Sequence, residues 1–255
     1  MLVAIHQPQY LPWLGYLDKI DRADVFVVLD NVQFKKNEWQ NRNRIRTAQG
    51  WQWVTVPVLH RFGQKINEVR VNSGEDWAAK HVRTIEMHYA RAPHREPLMD
   101  GLRAIYRQPW ERLSDLNVAV LRWLLTAYGI TTPMRIASEM SLREEPTDRL
   151  IDICRAVGGD RYLAGAGAAG YMDRPRFEAS GIGLEVQDFH HPVYRQCYEP
   201  FMPGMAAIDL LFACGGEALQ RLRATRQEGR ALAAAQGNSA EHTVPGQSET
   251  EPGVL

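Results

Sequence analysis

Residues 1–46, MLVAIHQPQYLPWLGYLDKIDRADVFVVLDNVQFKKNEWQNRNRIR, decide the fold. The apolar run Leu2–Ile5 has the length of a buried strand. His6-Gln7-Pro8-Gln9-Tyr10 follows as a polar, ring-rich turn. Pro12, whose missing N–H is harmless in a first helical turn, opens a helix to about Ala23. A second apolar run, Val25–Leu29, ends at Asp30. Strand, crossover helix and strand make one parallel βαβ unit, with its ligand crevice beyond the strand C-termini. His6 and Asp30 both emerge at that edge.

The tract behind the second strand carries Gln33, Lys35, Lys36, Asn37, Gln40, Asn41, Arg42, Asn43, Arg44 and Arg46. A charged run of this kind is ordinarily a solvated face. Here amides alternate with the cations, and Tyr10, Trp13, Phe34 and Trp39 add flat surfaces. That mixture fits recognition of a polar or anionic small molecule.

Over 255 residues, 45% of them apolar, the chain can bury a core as one large domain. Thirty basic and thirty acidic residues cancel, so no global attraction to nucleic acid or membrane follows, although a local basic crevice is compatible. No apolar segment is long enough to span a bilayer, and the opening residues lack the features of a secretory signal. Cys154, Cys197 and Cys214 are an odd, dispersed set without metal-ligand spacing, which favours a reducing, cytoplasmic setting.

Beyond the opening, residues 51–58 read as a strand, 60–65 as a turn and 66–71 as a returning strand, a hairpin excursion over 51–72. Helical patterns over 77–89, 93–106 and 113–128 form an insertion spanning 74–129, with Gly129 as a C-cap. His81 and His88 share a helix face, but no acidic third ligand accompanies them, so no metal site is expected. Sheet runs resume at Thr132–Ala137, Asp160–Leu163 and Gly183–Gln187, with a helix from Pro146 to about Val157 and a turn flanked by Phe177 and Ile182. The small residues of 164–170 let backbone N–H groups approach an oxyanion at Gly165, Gly167 and Ala168, particularly if a helix starts near Ala168; a plain tight turn is the competing reading. Asp209, in the apolar helix 206–213, must find a buried donor, for which Arg195 or a backbone N–H is the candidate. A helix over 217–226 closes a single α/β domain of residues 1–226, and the core-poor composition of 227–255 reads as a disordered tail.

In Ile5-His6-Gln7-Pro8-Gln9-Tyr10-Leu11-Pro12-Trp13 with Gly15-Tyr16, in Asp30-Asn31-Val32-Gln33-Phe34 and in Asn41-Arg42-Asn43-Arg44-Ile45, the chain resembles the WbqC-like protein family. Thr55–Val58, Trp77 with His81, and Tyr89–Pro93 continue the resemblance. It ends with Gly165–Ala168 and Tyr171, Tyr194 with Gln196, and Ile208–Phe212 with Gly215. The resemblance implies bacterial origin, a setting in surface-polysaccharide or specialised-metabolite pathways, and a shared small-molecule site; it brings no established reaction. The opening His6 turn before a helix is also similar in layout to nucleotidylyltransferases, which hold a triphosphate at such a turn, although Tyr16 stands where their second histidine would follow the glycine.

The expected fold is therefore α/β, a mainly parallel Rossmann-like sheet, distantly nucleotidylyltransferase-like, with helices on both faces and a helical insertion. The leading functional expectation is a transferase acting on a nucleotide-linked or other anionic small molecule. His6 is the phosphate contact or acid/base, Asp30 the ligand of a divalent ion or substrate hydroxyl, and Lys35 a catalytic cation. Lys35, Arg42 and Arg44 clamp the anion. Gln7, Gln9, Tyr10, Trp13, Gln33, Asn41 and Gln196 complete the substrate site, and Asp209 orients a neighbour. The cofactor is open, with Mg2+ on a nucleotide as the candidate. The rival is a non-catalytic small-molecule-binding or assembly protein. Single-stranded nucleic acid on the Lys35–Arg46 tract ranks third, because net charge is zero.

Overall fold

A computed structural model describes residues 1–168 and 172–226. Five strands form one parallel sheet: β1 (Leu2–His6), β2 (Val25–Val28), β7 (Met134–Ile136), β8 (Arg161–Ala164) and β9 (Gly183–Val186). Their order is β7-β2-β1-β8-β9. Chain order thus reverses between β1 and β8, which makes that gap the topological switch point of a Rossmann-like sheet. In register, Ala4 lies between Phe26 and Leu163, and His6 opposite Val28.

Strands β3 (Arg42–Thr47), β4 (Gly50–Thr55), β5 (Val58–Leu59) and β6 (Arg70–Val71), with helices α2 (Trp77–His88), α3 (Arg95–Tyr106) and α4 (Leu113–Tyr128), all fall between β2 and β7. Helices α1 (Leu14–Arg22), α5 (Pro146–Ala156) and α6 (Arg174–Ala179) connect the parallel strands, and α7 (Ile208–Cys214) precedes a helical stretch over 218–226.

The central strands β1 and β2 are apolar on both sides because helices cover both faces, while the edge strands β7 and β9 carry Arg135 and Glu185. Tyr16 of α1 packs edge-on against Phe26 and His6 on one face, with centroids 5.5 Å and 4.8 Å apart. On the other, Tyr162 stacks on Phe177 of α6 at 5.8 Å. Helix α4 ends as its sequence predicts, with Gly129 left-handed at φ +75°. Helix α5 begins on Pro146, and the Glu145 carboxylate accepts from the Asp148 N–H.

Two elements differ from the sequence reading. The principal partner of Gly50–Thr55 is Arg42–Thr47, antiparallel from Arg42↔Thr55 to Thr47↔Gly50; only Val58–Leu59 pairs with Arg70–Val71. Arg-Asn-Arg-Ile-Arg-Thr disguises a strand because Arg42 and Arg44 find indole rings and Arg46 is buried on protein acceptors, compensations visible only after pairing. Residues 174–179, for which the sequence reading named no helix, form α6, with the turn flanked by Phe177 and Ile182 following at Ser180–Gly181: Pro175 sits in its first turn and the Asp173 carboxylate accepts from the Arg176 N–H. The Gly165–Ala168 segment contains a short 3-10 turn over Ala166–Ala168. The expected continuation of that helix, and the expected disordered tail, lie outside the described residues. Among the described residues no helix is long and apolar enough to cross a membrane.

Candidate functional site

The switch point is built around a buried lysine. The β1–β8 ladder ends at Ala4↔Leu163, leaving the Ile5 carbonyl beyond it. Lys19, reaching from α1, donates to that carbonyl at 2.8 Å, with its ammonium 5.7 Å from the Tyr162 ring centroid. The cation is buried where the two strands part and where the loop Gly165–Ala168 leaves β8.

His6 stands beside it. Its Nδ1 is 3.0 Å from the Gln7 carbonyl, which makes Nδ1 the protonated nitrogen and leaves the Nε2 lone pair as acceptor. Burial, then the nearby Lys19 charge, lower the His6 pKa from 6.5 to about 3, against the Gln7 bond. His6 is thus a neutral imidazole at physiological pH, rather than the near-neutral titrating group its residue type suggests.

The opening turn and the amide-and-cation tract are laced together. The Gln40 amide donates to Gln7 Oε1 at 2.6 Å, the Tyr10 N–H to the Trp39 carbonyl at 2.9 Å, and the Asn43 amide to the Leu11 carbonyl at 2.6 Å. This leaves Gln7 Nε2 and Gln9 Oε1 buried without a protein partner. Native structures rarely strand such atoms, so groups of this kind in a cleft are positions for a ligand or water.

Arg42 and Arg44 alternate along β3 and lie on indoles. The Arg42 guanidinium is 4.1 Å from the Trp53 ring centroid, and that of Arg44 is 5.4 Å from Trp39 and 5.3 Å from Trp51. Stacking holds both planar cations in fixed orientation, the arrangement suited to bidentate anion contact.

Other candidates have occupied side chains. Both Asp30 oxygens accept from Ser138, one from its N–H at 2.9 Å and one from its hydroxyl at 2.6 Å, while burial raises its pKa. Tyr10 is fully buried, its hydroxyl bonded to His81 Nδ1 at 2.7 Å and to the Tyr106 hydroxyl. Asn41 braces its own loop, donating to the Val56 carbonyl at 3.1 Å and accepting from the Asn37 N–H. Gln33 and Lys35 are exposed. Trp13 is half-buried, edge-on to Phe189 at 5.2 Å. Divalent Mg2+ is usually held by one or two carboxylates plus substrate phosphates. Asp30 would have to release Ser138 to serve it, and among the described residues no group of three His, Cys, Asp or Glu is placed to hold a metal.

Asp209 and Gln196 belong to a separate buried network. Asp209 Oδ2 accepts from the Tyr194 hydroxyl at 2.7 Å and from Gln196 Nε2 at 2.9 Å. The expected donor Arg195 is not among these partners: its neighbours on either side reach the carboxylate instead, because the exposed Arg195 alternates outward from Tyr194 and Gln196. Gln196 Oε1 accepts from Arg46 Nε at 3.3 Å, so one amide bridges a buried cation and a buried anion. Burial, the largest influence, raises the Asp209 pKa despite these donors.

The sequence reading did not single out Lys19 or Tyr106, and it named Arg46 and His81 without the partners that hold them. The available signal was position: Lys19 lies three residues from Tyr16, on the same side of a short helix whose faces are mostly buried.

A model of the WbqC-like protein family matches residues 7–221. The chain belongs to the WbqC-like protein family. This WbqC-like protein is also 38% identical over 229 residues to the uncharacterized protein Rv1507c of Mycobacterium tuberculosis (strain ATCC 25618 / H37Rv), covering 88% of this chain and 99% of that one. No solved structure matches the chain. The match to the family model begins at Gln7 and so takes in the orphaned amides, Lys19 and the β3 arginines of the candidate site.

Proposed function

We propose that this WbqC-like protein is a transferase that binds a nucleotide-linked or other anionic small molecule at the β1/β8 switch point, in a bacterial surface-polysaccharide or specialised-metabolite pathway. The observation that carries this reading is the Lys19 ammonium buried at the Ile5 carbonyl beside a neutral His6. A buried cation at the C-terminal edge of a parallel sheet favours an anionic oxygen there, and the low polarity around it strengthens the attraction. Neutral His6 would offer Nε2 as acceptor to a substrate hydroxyl. Gln7 Nε2 would donate to the anion and Gln9 Oε1 would accept from the substrate, removing both orphans. Gly165, Gly167 and Ala168 would supply backbone N–H groups, and Lys35, Arg42 and Arg44 would hold a second anionic group. A nucleotide would bring any Mg2+ on its own phosphates.

A second reading, a non-catalytic binding or assembly protein, draws on a different observation: the carboxylates Asp30 and Asp209 are both committed to protein donors. Calorimetric titration with ATP, nucleotide sugars and acyl-CoAs, with and without Mg2+, followed by mass spectrometry of the products, separates the two. Saturable binding that Lys19→Met abolishes, with a new product, is the transferase outcome. Binding without turnover is the assembly outcome, and binding unaffected by Lys19→Met overturns the switch-point site altogether.

A further inference from the structure

The tip between β5 and β6 holds an apolar side chain in solvent by design of its backbone. Phe62 is 98% exposed and Leu59, three residues earlier, 54%. The turn is not loose: the Gln64 N–H donates to the Arg61 carbonyl at 3.2 Å, Gln64 Oε1 accepts from the Arg61 N–H at 2.9 Å, and its amide donates to the Glu68 carbonyl at 2.8 Å. Gly63 takes φ +78°, which a side chain would strain, and the space around it is open. His60 packs edge-on to the buried Phe34 at 5.2 Å and anchors the base of the tip. This tied turn carries its phenyl ring away from the core.

Cations neighbour Phe62 along the chain and across the adjoining bridge. Arg61 and Lys65 flank it in the turn. The Gln33↔Lys65 bridge and the Phe34 N–H bond to the Gln64 carbonyl, at 2.8 Å, lay the exposed Lys35 and Lys36 alongside. The opposing charges nearby are Glu68, whose carboxylate accepts from the Lys65 backbone N–H at 3.1 Å, and Glu38, two residues after Lys36, so the four cations outnumber them. Zero net charge over the whole chain therefore conceals a local basic rim around a projecting aromatic.

We infer that this tip docks on an anionic phospholipid surface, Phe62 entering the headgroup layer while Arg61, Lys65 and Lys36 engage lipid phosphates. Two large apolar side chains on a convex tip are far below the roughly 1,000 Å² that a stable protein interface buries. They suit shallow interfacial insertion, where clustered basic residues add attraction to anionic lipid. The inference does not depend on what the crevice binds.

The test is flotation of the full chain with phosphatidylcholine vesicles and with equimolar phosphatidylcholine–phosphatidylglycerol vesicles. Binding is expected only to the anionic vesicles, falling several-fold when salt rises from low to physiological strength. Phe62→Asp should remove most of it, and Arg61→Glu with Lys65→Glu should remove the salt-sensitive part. Circular dichroism should show both variants folded. Phe62→Trp keeps the question answerable if either misfolds: its emission should shift to the blue on anionic vesicles. Absent flotation at low salt, or equal flotation of Phe62→Asp, overturns the inference. So does lipid-free self-association that Phe62→Asp abolishes, which would make the tip a contact between copies.

Discussion

Replacing Asp209 by Asn should leave stability within about 1 kcal/mol of the parent, whereas Leu at the same position should cost ~4 kcal/mol. The contrast comes from the unequal use of the two carboxylate oxygens. Oδ2 accepts from Tyr194 and Gln196, while Oδ1 is buried without a hydrogen-bond partner among the described residues, in a residue only 2% exposed. An Asn side-chain oxygen in the Oδ2 position keeps both bonds, and removing the charge relieves the cost of holding it out of water. Leu keeps the heavy-atom branching but strands the Tyr194 hydroxyl and the Gln196 amide N–H, at ~2 kcal/mol each. For a chain of this size that is a Tm loss of ~8–16 °C. The pH profile adds a second readout. Burial holds the Asp209 carboxyl above its ordinary 3.8, so the folded chain keeps a proton that the unfolded chain has already released. Stability therefore falls as pH rises from about 3.8 through the folded-state value, and this component should vanish in Asp209→Asn. Calorimetric melting across pH 4–8 measures both effects. Asp209→Asn as unstable as Asp209→Leu would refute the reasoning and make the charge itself, opposite Arg46, the stabilising feature.

The buried histidines act in the opposite sense. His6 and His81 are held neutral, at about 3 and about 4 against an ordinary 6.5, so the unfolded chain gains protons first on acidification. Tm should drop as pH falls below about 6.5, and His81→Gln should flatten part of that drop. Lys19→Met removes a charge that lowers the His6 pKa, so the His6 imidazole resonances should titrate at higher pH than in the parent; an unchanged titration would separate the two groups. A Cβ on Gly15 would lie 2.3 Å from the Trp13 ring, so Gly15→Ala should displace that indole at a cost of ~1–3 kcal/mol, seen as a lowered Tm and altered tryptophan emission.

The parallel core was legible in the sequence because its signals are local. Leu2–Ile5 and Val25–Leu29 are continuous apolar runs joined by one helix-length segment, and right-handed crossover then places His6 at the crevice edge. Gly129 could be assigned as a cap because a left-handed residue is a single-position requirement. What each polar side chain does there was decided only by tertiary structure. Asp30 meets Ser138 across 108 residues, Gln196 meets Arg46 across 150, and Tyr10 meets His81 across 71. No periodicity records such pairings. Residue type supplies the chemistry a group can perform, but burial and the neighbouring charge set its protonation: the same imidazole that titrates near neutrality in water is, beside buried Lys19, a neutral acceptor.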